Sequence, residues 1–204
     1  MMFNSGLELS VIDGSELPYI TENKGIPLQF SYKNSLPPVL NQENNPICVP
    51  CSISAFLEYK ISLNTGKKQS SDFKLFDIFN SRTSTGEGMT CKDAFKYVIN
   101  SGAKYKNGII KFSKYFIITN ILQLKHAIYA NGPCILVLPV YNTDSEQFWK
   151  KDGKCIGYHA VSVVGYDTDG FIIRNSWGNS YGYDGYSYIT NNDIQKSKEI
   201  WTLV

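Results

Sequence analysis

A cysteine, a histidine, an asparagine and a glutamine are the residues with which this chain could do chemistry. Cys48-Val49-Pro50-Cys51 opens an apolar run, and Gln42 stands six positions before Cys48. A thiol is a weak nucleophile until it ionises. A helix N-terminus and a nearby imidazolium both stabilise the thiolate. Pro50 suits the first turn of a helix, where its missing N–H costs nothing, so Cys48 is expected where a helix begins. Only two histidines occur, His126 and His159. His159 opens a strand, Gly157 to Tyr166. That strand turns through Asp167 to Gly170 into a second run, Phe171 to Gly178. Strands joined by a tight turn run antiparallel, so His159 and Asn175 can be neighbours, with Trp177 lying over the pair. Cys48, His159 and Asn175 would then be nucleophile, base and orienter. The Cys48 N–H and the Gln42 amide would hold the oxyanion of a tetrahedral intermediate.

Other uses of these residues fit less well. A redox CxxC needs a strand before its helix, and PPVLNQENNPI is poor strand material. Zinc held by Cys48, Cys51 and His159 would lack a second ligand pair at suitable spacing. No metal and no organic cofactor is therefore expected. Cys51 falls one helical turn after Cys48 and reads as core, and Cys134 and Cys155 read as structural. Cys91 is open between core and cleft border. His126, inside LQLKHAIYA, reads as an ordinary helix histidine.

The elements that must position these groups follow from pattern. Pro27, Pro37 and Pro38 keep IPLQFSYKNSLPPVLNQ extended. The Cys48 helix is expected to reach Lys60 or Leu63 and to stop before Asn64-Thr65-Gly66. DFKLFDIFNSR, TCKDAFKYVINSG and NILQLKHAIYANG read as further helices, the last two ended by Gly102 and Gly132. After Pro133 come CILVLPVY, YHAVSVVGYD, GFIIRNSW and GYSYIT, short runs rich in β-branched and aromatic residues, read as strands. The layout is α+β, a helical lobe and a β lobe.

The chain has 204 residues, 43% hydrophobic and 19% charged, with a formal net charge of +2. That fits one globular domain or two small lobes sharing a cleft. Aromatics among lysines at 104–106 and 111–116 read as solvated surface, so no nucleic-acid partner is expected. No stretch approaches the ~20 apolar residues that span a bilayer, and the first residues lack the pattern of a secretory signal. The expectation is an intracellular protein, with no membrane partner, five free thiols and a monomer as default.

With these residues in view, the chain resembles the papain-like cysteine peptidases. Pro38-Val39-Leu40-Asn41-Gln42 and Cys48 are similar to the oxyanion and nucleophile segments. His159-Ala160-Val161 with Val164-Gly165-Tyr166 resembles the histidine strand. Asn175-Ser176-Trp177-Gly178, then Gly182-Tyr183 and Gly185-Tyr186, resembles the asparagine motif. FNSR, GMTCKDAFKYVINSGA within Ser70 to Ala103, and the ending Glu199-Ile200-Trp201-Thr202-Leu203 resemble a disulfide-poor subgroup of microbes and viruses. The resemblance implies a two-lobe fold with an antiparallel β-barrel-like right lobe and the active site between the lobes. It gives residues 27–204 as the peptidase domain, with a helical lobe at about 42–127 and a β lobe at about 128–204 plus 27–41. It implies hydrolysis of peptide or protein substrates by an endopeptidase. Its second subsite would be lined near Met89, Thr90, Val137, Gly157 and Ala160 and would take an apolar side chain. Gly88 and Met89 would pair with substrate backbone. Pro46, Ile47 and Val49 depart from the residues usual around the nucleophile, and Asn45 stands where a disulfide cysteine is usual. An inert peptide-binding scaffold, an amidase or a hydrolase of ubiquitin-like modifiers are the alternatives. Residues 1–26 read as an extension too short for the usual inhibitory prosegment, though a short arm could lie in the cleft.

Overall fold

A computed structural model describes residues 6–21, 25–68, 73–106 and 108–204. Residues 1–5 and 22–24 of the expected arm, and 70–72 at the head of the expected linking region, lie outside the described residues. The central helix, α1 (Cys48–Thr65), begins at the nucleophile candidate. Every side chain from Cys48 to Glu58 is buried, so this helix has little polar face to mark its course. It runs past the expected stop at Leu63. Thr65 Oγ1 donates to Ile61 O at 2.8 Å and holds the last turn. Gly66, at φ 68°, closes the helix by donating its N–H to Ser62 O.

Of DFKLFDIFNSR only α2 (Leu75–Phe79) is helical. Helices α3 (Cys91–Asn100) and α4 (Ile121–Asn131) start at Thr90 and Asn120, whose side chains accept from the N–H groups of Asp93 and Gln123. The expected extended segment from Pro27 is interrupted. It holds a two-residue strand, β1 (Phe30–Ser31), and then a 3₁₀ turn at Lys33–Ser35. Three short strands that the sequence reading did not name lie between α3 and α4: β2 (Ala103–Tyr105), β3 (Gly108–Ile110) and β4 (Tyr115–Ile117). Three residues are too few for an alternating pattern to stand out.

The later strands are β5 (Cys134–Val140), β6 (Gly157–Tyr166), β7 (Gly170–Arg174), β8 (Tyr186–Thr190) and β9 (Glu199–Leu203). They form an antiparallel sheet in the order β4-β9-β5-β6-β7-β8, which β1 joins through β6. Strands β2 and β3 make a separate hairpin. The fold is α+β with two lobes, each around its own apolar cluster. One joins α1, α2 and α3 with Trp201 and Leu203 of β9. The other joins α4 with β5, β6 and β7 around Phe148, Trp149 and Tyr166. All five cysteines are free. Among the described residues no helix is long and apolar enough to cross a membrane.

One buried ion pair crosses the structure. Arg174 Nη2, at the end of β7, lies 2.9 Å from Glu58 Oε2 of α1. The same nitrogen donates to Pro37 O and Pro38 O at 3.2 and 3.0 Å. Removing one partner strands the other charge in the interior. Glu58→Ala should therefore cost about 3–5 kcal/mol of stability. The apolar pair Glu58→Leu with Arg174→Met should recover much of that loss. Urea denaturation of the two variants checks this; a Glu58→Ala midpoint equal to wild type would remove the role given to the pair.

Candidate active site

Cys48 is the first residue of α1 and is fully buried. Helix α1 packs against β6, and the Ala160 N–H reaches the Cys48 thiol. The thiol thus lies against the residue that follows His159. His159 sits in β6 and Asn175 directly after β7. The two strands are paired, with Ser162 opposite Arg174 and an irregularity between Val163 and Gly165. This brings His159 Nε2 to 2.7 Å from Asn175 Oδ1. The amide orientation is fixed, because the Ser176 N–H donates to the same Oδ1 at 2.8 Å. An amide oxygen only accepts, so His159 carries its proton on Nε2. In the neutral ring Nδ1 is left basic. Trp177 stacks on the imidazole with ring centres 4.6 Å apart.

Gln42 reaches this centre through backbone pairing. Its N–H donates to Ser176 O, Asn41 bridges Trp177, and the Gly178 N–H donates to Leu40 O. The Gln42 side chain is buried, with Oε1 accepting from Ser176 Oγ at 2.6 Å and Nε2 donating to Asn45 O at 3.0 Å. The five residues singled out from sequence, Cys48, His159, Asn175, Gln42 and Trp177, are therefore gathered at the meeting of the two lobes.

The chain's own residues 6–21 pack beside these groups. The Met89 N–H donates to Gly6 O and the Glu8 N–H donates to Met89 O, a parallel bridge centred on Leu7. Leu7 is 4% exposed and packs in the cluster that contains Ile47, Cys48, Met89, Val137 and Ala160. Gly6 lies so close to Pro46 that a Cβ there would stand 2.5 Å from the Pro46 carbonyl carbon. Further along, the Ser10 N–H donates to Glu199 Oε1 at 2.6 Å, while Trp201 Nε1–H donates to Glu199 Oε2. Lys92 holds Val11 O and the Glu16 carboxylate, and Leu17 and Tyr19 pair with Ile117 of β4.

Among the expected pocket residues, Met89, Val137 and Ala160 share a cluster with Leu7. The Gly88 backbone packs on Leu7. The Thr90 side chain caps α3. Gly157 opens β6 opposite Val140. Cys91 is buried in the same cluster as Leu7. Sequence reading missed Phe148, whose ring stands edge-on to His159 at 5.4 Å and tilted against Trp177 at 5.1 Å. Its loop, Tyr141 to Ile156, carries no periodic signal. It also assigned no role to Ser176, which sits inside the quoted motif.

Burial sets the charges in this covered state. It pushes the Cys48 thiol up to about 11, against the lesser pull of the Ala160 N–H. It pushes the His159 imidazole down to about 4, against the Asn175 hydrogen bond. Burial thus works against both charges of a thiolate–imidazolium pair. Removal from water disfavours both charges more than the helix terminus assists the thiolate. A sign follows for stability. His159 binds its proton more weakly in the fold than an ordinary imidazole, whose value is 6.5. Between pH 6.5 and 4 the unfolded chain takes up more protons, and stability rises with pH. Lowering the pH through that window should cost on the order of 1–3 kcal/mol, and His159→Gln should flatten that part of the slope. Thermal melts from pH 7 to 4 measure it; equal slopes in the two proteins would sink the assignment.

Comparison with known proteins agrees with this geometry. A family model described as papain family cysteine protease matches residues 104–200, which include His159 and Asn175. Curated relatives include procathepsin L of Felis catus, 29% identical over 76% of this chain and 57% of that protein. Cathepsin K of Mus musculus is 28% identical over 81% and 59%. A gut-specific cysteine proteinase of Caenorhabditis elegans is 29% identical over 52% and 33%. The chain thus spans from a third to about six tenths of the length of these relatives. Among solved structures, xylellain, a cysteine protease from Xylella fastidiosa, superposes with a TM-score of 0.80 at 20% identity, covering 97% of this chain and 94% of that one. Over its C-terminal part this chain is similar to the papain family cysteine proteases, and its fold is papain-like.

Proposed function

We propose that the protein hydrolyses peptide bonds with Cys48 as nucleophile. The observation that carries this reading is the alignment of a helix-terminal thiol beside Ala160 with the His159–Asn175 pair at 2.7 Å. Cys48 passes its proton to His159 Nδ1, and the thiolate attacks the substrate carbonyl. The Cys48 N–H and Gln42 Nε2 stabilise the oxyanion. The imidazolium then protonates the leaving amine, and the acyl group remains on sulfur as a thioester. His159 next takes a proton from water, which attacks the thioester and releases the acid and the thiol. Asn175 holds the imidazole in the required tautomer, and Trp177 and Phe148 shield that hydrogen bond. No metal or organic cofactor enters these steps.

The second subsite prefers an apolar side chain. Leu7, seated among Met89, Val137 and Ala160, supports that preference. Residues 6–21 act as an arm that holds the cleft closed. Once the arm leaves, water reaches Cys48 and His159, and the desolvation that keeps both neutral is lifted.

Two measurements test this. Mass spectrometry after an epoxide or vinyl-sulfone inactivator should find Cys48 labelled in preference to the other four cysteines, and His159→Ala should abolish the preference. Labelling spread evenly, with no turnover of a fluorogenic peptide library, would favour the inert peptide-binding scaffold. Leu7→Asp places a charge in an apolar seat whose burial is worth roughly 1.5–3 kcal/mol. It should raise both labelling rate and peptide turnover about tenfold or more. Rates equal to wild type would remove the arm from the regulation of this site.

A further inference from the structure

The turn that carries Gln42 has an unusual construction. Glu43 follows Gln42 with φ 53°, in the left-handed region that disfavours a residue with a Cβ. The turn closes when the Asn45 N–H donates to Gln42 O at 3.0 Å. Its geometry would suit glycine at position 43. Two side-chain bonds hold it against that preference. Asn45 Nδ2 donates to Gln42 O at 3.0 Å, and Gln42 Nε2 donates to Asn45 O, also at 3.0 Å. Asn45 O accepts a second bond, from the Ile47 N–H at 2.9 Å. Ile47 directly precedes Cys48. The Asn45 carbonyl thus joins the Gln42 amide to the residue before the Cys48 N–H.

We propose that Asn45 is a positioning residue for the oxyanion site. Its side-chain amide locks the Gln42–Asn45 turn, and the locked turn sets Gln42 Nε2 at a fixed place relative to the Cys48 N–H. This rests on the reading of Gln42 as an oxyanion donor. Without the Nδ2 bond, the strained Glu43 backbone relaxes, Asn45 O shifts, and both donors lose their common anchor. A preorganised donor is worth far more in the transition state than one that must be reoriented, so the loss falls on kcat and leaves KM alone.

The test uses the full chain in two readouts. The first is hydrogen exchange of the Gln42 side-chain amide in ¹⁵N-labelled protein, the signal being identified by its loss in Gln42→Ala. Asn45→Ala should speed that exchange at least tenfold and shift the resonance. Glu43→Gly in the same chain, which removes the backbone penalty, should restore much of the protection. Should Asn45→Ala fail to fold, Asn45→Asp keeps the shape, removes the donor and should give the same exchange. The second readout is steady-state turnover of a fluorogenic peptide. Asn45→Ala should lower kcat about tenfold with KM within about twofold, and should add little in a Gln42→Ala background. Unchanged exchange at Gln42, or kcat losses that simply multiply in the double variant, would overturn the proposal. A wild-type chain without turnover would sink the peptidase reading alone, and the exchange measurement would still decide the role of Asn45.

Discussion

The buried pairing of Arg174 with Glu58 is the constraint on which the rest of the site depends. Glu58 lies on the helix that begins at Cys48. Arg174 directly precedes Asn175. The same guanidinium holds the carbonyls of Pro37 and Pro38, five and four residues before Gln42. One charge pair therefore ties together the elements that carry Cys48, Asn175 and Gln42. Such a pair is weak evidence for net stability, because its desolvation is costly. What it contributes is geometry. A guanidinium offers several donors in a fixed fork, so it can satisfy a carboxylate and two carbonyls only when all three elements are in place.

Around that tie two sets of contacts meet. The His159–Asn175 bond, the Trp177 stack and the Gln42–Ser176 bond fix the geometry without reference to the arm. Residues 6–21 bridge to Met89 at Leu7 and are held by the Ser10–Glu199 and Lys92–Val11 bonds. Their effect is electrostatic as well as steric. Burial pushes the thiol up and the imidazole down, since each charge would lose its hydration.

Several parts of this were legible in the sequence, for definable reasons. The hairpin from β6 to β7 could be read because its strands are long, β-branched and joined by a short turn, and pairing across the turn follows from strand geometry. The start of α1 could be read from Pro50. Its end could not, because a helix buried from Cys48 to Glu58 shows no periodic face. The short strands β2, β3 and β4 were missed, and α2 was drawn too long. At three to five residues, pairing and packing override local preference. Phe148 was missed because it sits in a loop without periodicity, and only the folded chain brings it to His159.

The sequence alone determined the chemical inventory and its order: a thiol at a helix start, a histidine on a strand, an asparagine across a turn, and a glutamine upstream. Those follow from residue type and local spacing, which are properties of short segments. Only the tertiary structure decided that burial pushes the Cys48 thiol up and the His159 imidazole down, that Leu7 packs in one cluster with Cys48 and Met89, and that Ser176 holds Gln42. Each of these depends on contacts between residues far apart in the chain, and on the exclusion of water that those contacts produce. A list of residues carries neither.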